Sequence, residues 1–186
     1  MVHQYPNKFT FKDCQIMIEA AQPSLTTTTT LGKEIEGYRK ADGTWLPNDS
    51  LISRKVFHII HELTECKPEQ MELVHIVKYG IGGEYKAHHD FFHVTEDYAA
   101  EHIAYGGNRI KSALIYLNDD FEGGATFFPE LGVLVKPELG KLVIWDNMTP
   151  DGKLDYTSIH AGLPVQSGVK YIAVVFIREN NFEGQK

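Results

Sequence analysis

From Met71 onward the chain breaks into short runs rich in β-branched and aromatic residues, divided by glycine-centred turns. That texture restricts the possible fold more than any other feature of the sequence. Leu73–Tyr79, Ser112–Leu117, Val133–Lys136, Lys141–Trp145 and Val169–Arg178 each read as strands, with Gly106-Gly107-Asn108 and Glu122-Gly123-Gly124 as punctuation between them. Strands at that density predict two packed sheets in a double-stranded β-helix, a jelly roll of cupin-like shape. Upstream the texture is helical. Asp13–Gln22 places Ile16, Met17 and Ala20 at helical spacing and stops at Pro23. Ser50–Cys66 places Leu51, Val56, Ile59, Ile60 and Leu63 at near-helical intervals behind a Ser50 cap. Both helices are expected to buttress the sheet. The threonine run Thr26–Thr30 favours extended backbone and predicts an edge strand or an ordered loop.

A length of 186 residues supplies one sizeable core and is short for two, so residues 1–186 are expected to form a single domain. Within it, 1–70 would support a catalytic core over 71–180. The formal charge of −7 argues against nucleic acid as a partner. Cys14 and Cys66 are too few for a disulfide framework or a thiolate metal cage, and two buried, reduced thiols are expected. Met1–Lys12 has no apolar core of a leader, and no segment reaches the roughly eighteen apolar residues of a membrane span. The sequence-based expectation is a cytoplasmic protein with no membrane association.

Chemistry concentrates in the stretch Tyr79–Asp90. On a strand, residues two apart share a face, so His88 and Asp90 can converge on one point while His89 turns away. His93 lies close enough to compete. Ser158-Ile159-His160-Ala161-Gly162 offers a third donor, and Lys170 follows within an apolar run. Two histidines and one carboxylate on one face of an ion, with the opposite positions open, are the facial triad of non-haem Fe(II) chemistry. His58-Ile59-Ile60-His61-Glu62 has a different character. Its order fits neither H-E-x-x-H nor H-x-x-E-H, and it reads as two histidines on a partly exposed helix.

The pattern Y-x-x-G-x-x-Y-x-x-H-x-D is met by Tyr79, Gly82, Tyr85, His88 and Asp90, and H-A-G-x-P-V followed by G-x-K by His160–Val165 and Gly168–Lys170. Gly107-Asn108-Arg109, Tyr116-Leu117, Glu122–Thr126 and Pro150-Asp151-Gly152 agree between them. From about Arg39 to Arg178 the chain resembles the 2-oxoglutarate-dependent Fe(II) dioxygenases, and more narrowly the collagen-type prolyl 4-hydroxylases. The resemblance implies Fe(II) on His88, Asp90 and His160, with 2-oxoglutarate and O2 as cosubstrates; whether ascorbate is also required stays open. It implies Lys170 as the cation for the far carboxylate of the oxo acid, with Tyr79 and Thr126 as hydroxyl donors. A lysine at that position, instead of an arginine, is similar to the collagen-type branch and unlike the oxygen-sensing one.

The implied reaction is hydroxylation of peptidyl proline at C4, giving 4-hydroxyproline, succinate and CO2. Arg39–Trp45 would be a mobile lid over an extended proline-containing peptide. Tyr85 would face the target ring, and Glu72 and Arg109 would bond the peptide backbone. Three positions depart from the family pattern: Ala41 in place of serine, and Phe176 and Arg178 in place of tryptophan and histidine. They put the recognised sequence in question and leave the reaction class intact. The same chemistry on free proline or another side chain, and a catalytically silent jelly-roll binding module, are the rival readings. A monomer or simple dimer is expected.

Overall fold

In a computed structural model that describes residues 1–28 and 38–184, the strands form an antiparallel framework. In chain order the elements are β1 (Val2–Tyr5), α1 (Phe11–Ala21), β2 (Thr26–Thr27), β3 (Asp42–Trp45), α2 (Leu51–Thr64), β4 (His75–Tyr79), β5 (Tyr85–His88) and α3 (Ala99–Ala104). There follow β6 (Arg109–Tyr116), β7 (Glu122–Gly123), β8 (Thr126–Phe128), β9 (Val133–Val135), β10 (Leu142–Asp146), β11 (His160–Gly162), β12 (Val165–Ser167) and β13 (Lys170–Arg178). Among the described residues a seven-stranded sheet runs β1-β10-β6-β13-β4-β3-β2, a four-stranded sheet runs β5-β11-β8-β9, and β12 pairs with β7. The mainly-β jelly roll expected from the turn-divided runs is the observed architecture.

Period-two alternation explains how one large sheet serves two layers. Ala173, Val175 and Ile177 of β13, Ala113 and Ile115 of β6, and Leu142 and Ile144 of β10 join the core under α1 and α2. Their neighbours Ile172 and Val174, Leu114 and Tyr116, and Val143 and Trp145 face the other way, onto Phe128 and Val135 of the smaller sheet. Both helices are fastened at their starts. Thr10 and Asp13 form a reciprocal cap on α1, and Ser50 Oγ accepts the Ser53 N–H of α2 at 3.1 Å. Lys55 of α2 then reaches the Asp13 carboxylate of α1 at 2.8 Å, which ties the helices together.

Several expectations are corrected. The helices start and stop one to two residues away from the expected bounds, and Leu51 and Ile16, read as core-facing, are 86% and 40% exposed. Cys14, Met17 and Ala21 supply the packed face of α1 instead. The two cysteines are free and buried, as read from their number. Asp42–Trp45, expected within a lid, is a strand whose register against β4 runs Asp42↔Lys78 to Trp45↔His75. Its backbone groups are spent on the sheet, so this stretch forms a fixed wall. Of the threonine run, Thr26–Thr27 is an edge strand on β3, while Thr29 and Thr30 lie outside the described residues. No helix among the described residues is long and apolar enough to cross a membrane.

Candidate metal centre

His88 ends β5 and His160 begins β11, and the antiparallel register sets them directly opposite each other. Asp90 lies past the end of β5, so strand alternation is not what aims it. Its carboxylate is held instead by the Ser112 hydroxyl of β6, which donates to Oδ2 at 2.6 Å. Asp90 Oδ1 lies 3.5 Å from His88 Nε2, and Oδ2 lies 3.6 Å from His160 Nε2. Donors each about 2.1 Å from one ion sit roughly 3–3.5 Å apart when adjacent in its shell, so the spacing suits a single ion. Among the described residues this is the one cluster of three such donors, all within 4.8 Å of one another.

The donor set is also prepared chemically. His88 Nδ1 lies 2.7 Å from the Lys86 carbonyl and His160 Nδ1 3.0 Å from the Ser158 carbonyl. A carbonyl only accepts, so each Nδ1 carries the proton and each Nε2 lone pair is left for a metal. Burial pushes the His160 imidazole down to about 4, keeping it neutral at pH 7. Burial alone would raise the Asp90 carboxyl, but His160, His88 and the Ser112 hydroxyl outweigh it and hold the group below the usual carboxylate range. His89 points elsewhere, with Nε2 3.0 Å from the Tyr156 carbonyl, and the His93 ring lies tilted against the Tyr156 ring at 6.0 Å between centroids. Two imidazoles and a carboxylate fit a non-haem Fe(II) ion.

The cluster opens into a cavity of about 1200 Å³ whose walls include every residue singled out in the sequence as a site candidate. Lys170 lies in it at 2% exposure, on β13 between β6 and β4, so it is a buried lysine on a central strand. Nζ donates to the Gly124 carbonyl at 2.7 Å and lies over the rings of Tyr79 and Tyr116. No carboxylate pairs with it among the described residues, and burial pushes its ammonium down to about 7. Gly124 is needed for that contact. Its φ is +62°, and a Cβ there would come within 3.0 Å of the Lys170 chain. Thr126 Oγ1 is hydrogen-bonded to Tyr116 Oη at 2.7 Å.

On the outer wall Tyr85 stacks on His88 at 3.5 Å between centroids, with the Arg39 guanidinium 4.7 Å from the Tyr85 centroid. Trp45 stacks on His75 and remains half exposed. Glu72 and Arg109, assigned to a peptide backbone by resemblance, are bonded to each other as a bidentate pair at 2.7 and 2.9 Å. Arg178 completes the group, with Nε 2.7 Å from the same Glu72 Oε1 and Nη1 donating to the Gly107 carbonyl at 2.6 Å. The rings of Phe92 and Phe176 cover the Arg109 guanidinium. Sequence reasoning missed Ser112, Tyr116, Trp145 and Asn147. Each stands on β6 or at the end of β10, and only the period-two face of those strands could have pointed to them.

A jelly roll carrying a two-histidine, one-carboxylate centre with its remaining side open is the combination used by mononuclear non-haem iron oxygenases. The chain belongs to the 2OG-Fe(II) oxygenase superfamily, whose sequence profile matches residues 74–178. It is 33% identical over 178 residues to prolyl 4-hydroxylase subunit alpha-1 of Gallus gallus, a match covering 92% of this chain and 34% of that one. The chain thus spans about a third of the length of that animal relative. It is 31% identical over 170 residues to a putative prolyl 4-hydroxylase of Acanthamoeba polyphaga mimivirus, covering 91% of this chain and 70% of that one. In structure it is similar to the viral collagen prolyl hydroxylase of Paramecium Bursaria Chlorella virus-1, solved as a 2OG complex, with TM-score 0.77, 27% identity and 95% of both chains covered.

Proposed function

We propose that this oxygenase hydroxylates peptidyl proline at C4, converting 2-oxoglutarate and O2 to succinate and CO2 as it does so. In this reading His88, Asp90 and His160 hold Fe(II), which when bound supplies the redox chemistry of O2 activation. Lys170 takes the far carboxylate of 2-oxoglutarate, with Tyr79 and Thr126 beside it. The observation that carries the reading is that one cavity holds both the three-donor cluster and a buried lysine with no anionic partner among the described residues. A buried unpaired ammonium is costly, and a dicarboxylate spanning the two would relieve that cost. The prolyl substrate is supported by what the relatives are called. On the outer side, Arg39, Trp45 and Tyr85 would line the path of an extended peptide. Glu72 and Arg109 would contribute by holding that wall, since most of their bonding capacity is spent on each other.

The reading extends to one domain over residues 1–186 with the catalytic core in 71–180, acting in the cytoplasm as a monomer or simple dimer. Succinate release from 2-oxoglutarate under air with added Fe(II), with and without a proline-rich peptide, tests it. Strong stimulation by the peptide together with peptide mass gain of one oxygen is expected. Turnover that the peptide leaves unchanged would move the substrate to free proline or another side chain, and no turnover in either tube would favour a silent binding module.

A further inference from the structure

Asp90 poses a positional difficulty. It lies beyond the last paired residue of β5, so the sheet does not orient its side chain, and its own carbonyl receives only Arg109 Nη1 at 3.3 Å. Behind its carboxylate is a short chain of polar groups. Asn147 Nδ2 donates to Ser112 Oγ at 2.8 Å, and Ser112 Oγ donates to Asp90 Oδ2 at 2.6 Å. Both residues are fully buried.

Proton accounting gives the chain one direction. The Asn147 amide nitrogen only donates, so Ser112 Oγ accepts there, and its single proton is left for the carboxylate, which only accepts. Asn147 is itself fixed by its backbone, whose N–H goes to the Ile110 carbonyl at 2.8 Å and whose carbonyl receives the Asp155 N–H at 2.9 Å. The relay therefore runs from the end of β10 through β6 to the third donor of the cluster. Asn147 Oδ1 has no hydrogen-bond partner, although it is buried. The amide sits with its donor on Ser112 and leaves its acceptor unsatisfied. The opposite orientation would take the Ser112 proton away from Asp90.

We propose that Asn147 and Ser112 are positioning residues for the metal centre, holding the Asp90 carboxylate in one rotational state for the ion. The proposal rests on the assignment of His88, Asp90 and His160 as metal ligands. Neither residue touches a reacting atom, and both act through Asp90.

The test is Co(II) binding by the purified chain, followed by its visible absorption. Ser112→Ala is expected to raise the Co(II) Kd about 10- to 100-fold and to change the visible bands. Ser112→Thr, which keeps the hydroxyl, should restore both. Asn147→Asp, whose carboxylate draws the Ser112 proton off Asp90, should weaken binding, and the Ser112→Ala/Asn147→Asp double variant should be no weaker than Ser112→Ala alone. Wild-type Kd and bands in Ser112→Ala overturn the proposal, even if the metal-free variant melts lower, because a purely structural role would do that. Additive losses in the double variant also overturn it. A wild-type chain that binds no Co(II) overturns the ligand assignment itself, and the proposal with it.

Discussion

Lys170→Met removes a charge that the metal-free fold has to tolerate without an anionic partner, so it should make the protein more stable while ending 2-oxoglutarate binding. Burial lowers the lysine from 10.5 to about 7. At 1.36 kcal/mol per unit, that depression opposes folding by about 4 kcal/mol at pH 7, where the folded lysine is half protonated. The variant forfeits the hydrogen bond to the Gly124 carbonyl, worth about 1 kcal/mol, and the attraction of the Tyr79 and Tyr116 rings, worth about as much. Methionine has nearly the same length and stays within a site that is 2% exposed. The net expectation is a gain of about 2 kcal/mol at pH 7 in urea denaturation of the metal-free protein. The gain should depend on pH in a fixed direction. The folded value lies below the unfolded one, so the wild-type penalty is full below about pH 6, begins to fall as pH rises through 7 and is gone above 10.5. Between pH 7 and pH 9 wild type should recover about 2 kcal/mol and the advantage of the variant should nearly vanish. A Lys170→Met protein less stable than wild type at pH 7, or an advantage that grows with pH, would refute the reasoning about the buried ammonium. Unchanged 2-oxoglutarate binding would refute its assigned role.

The same group makes a ligand prediction: 2-oxoglutarate affinity, measured anaerobically by titration, should fall by up to about tenfold per pH unit above pH 7, as the free lysine loses its proton. His160→Ala should abolish succinate formation and Co(II) binding, while circular dichroism shows a folded protein, since its packing on Trp145 and Phe128 is worth only about 1–3 kcal/mol. Glu72→Ala strips the shared carboxylate from two guanidiniums and should cost about 3–5 kcal/mol in urea denaturation; a loss below 1 kcal/mol would show that the pair is dispensable. Adding Fe(II) or Co(II) at a hundred times its Kd should stabilise the wild-type chain by about 2.7 kcal/mol, a gain that EDTA reverses and His160→Ala does not show.

Much of this protein is written in local sequence, because the relevant physics is local. Turn residues and β-branched runs set the strands, Ser50 capped the helix it was expected to cap, and the H-x-D spacing put His88 and Asp90 among the three clustered donors, although strand alternation is not what aims Asp90. Lys170 was legible for a similar reason, as a charge within an apolar run has to be answered by something. What local sequence could not supply was everything decided by strands meeting across long separations. Leu51 and Ile16 follow helical spacing, yet the sheet meets another face of each helix. Asp42–Trp45 became a wall because β4 was available to pair with it. Asp90 is aimed by Ser112, 22 residues away, and Ser112 is oriented by Asn147, 35 residues further on. Glu72 and Arg109 find each other across 37 residues and Arg178 joins the carboxylate from much further along the chain, so the three spend on one another the charges that spacing alone would have offered to a substrate. Sequence therefore determined which chemical groups the site contains. Sheet register, which is fixed only when the whole hydrophobic pattern is buried at once, decided which of those groups face each other and which remain free.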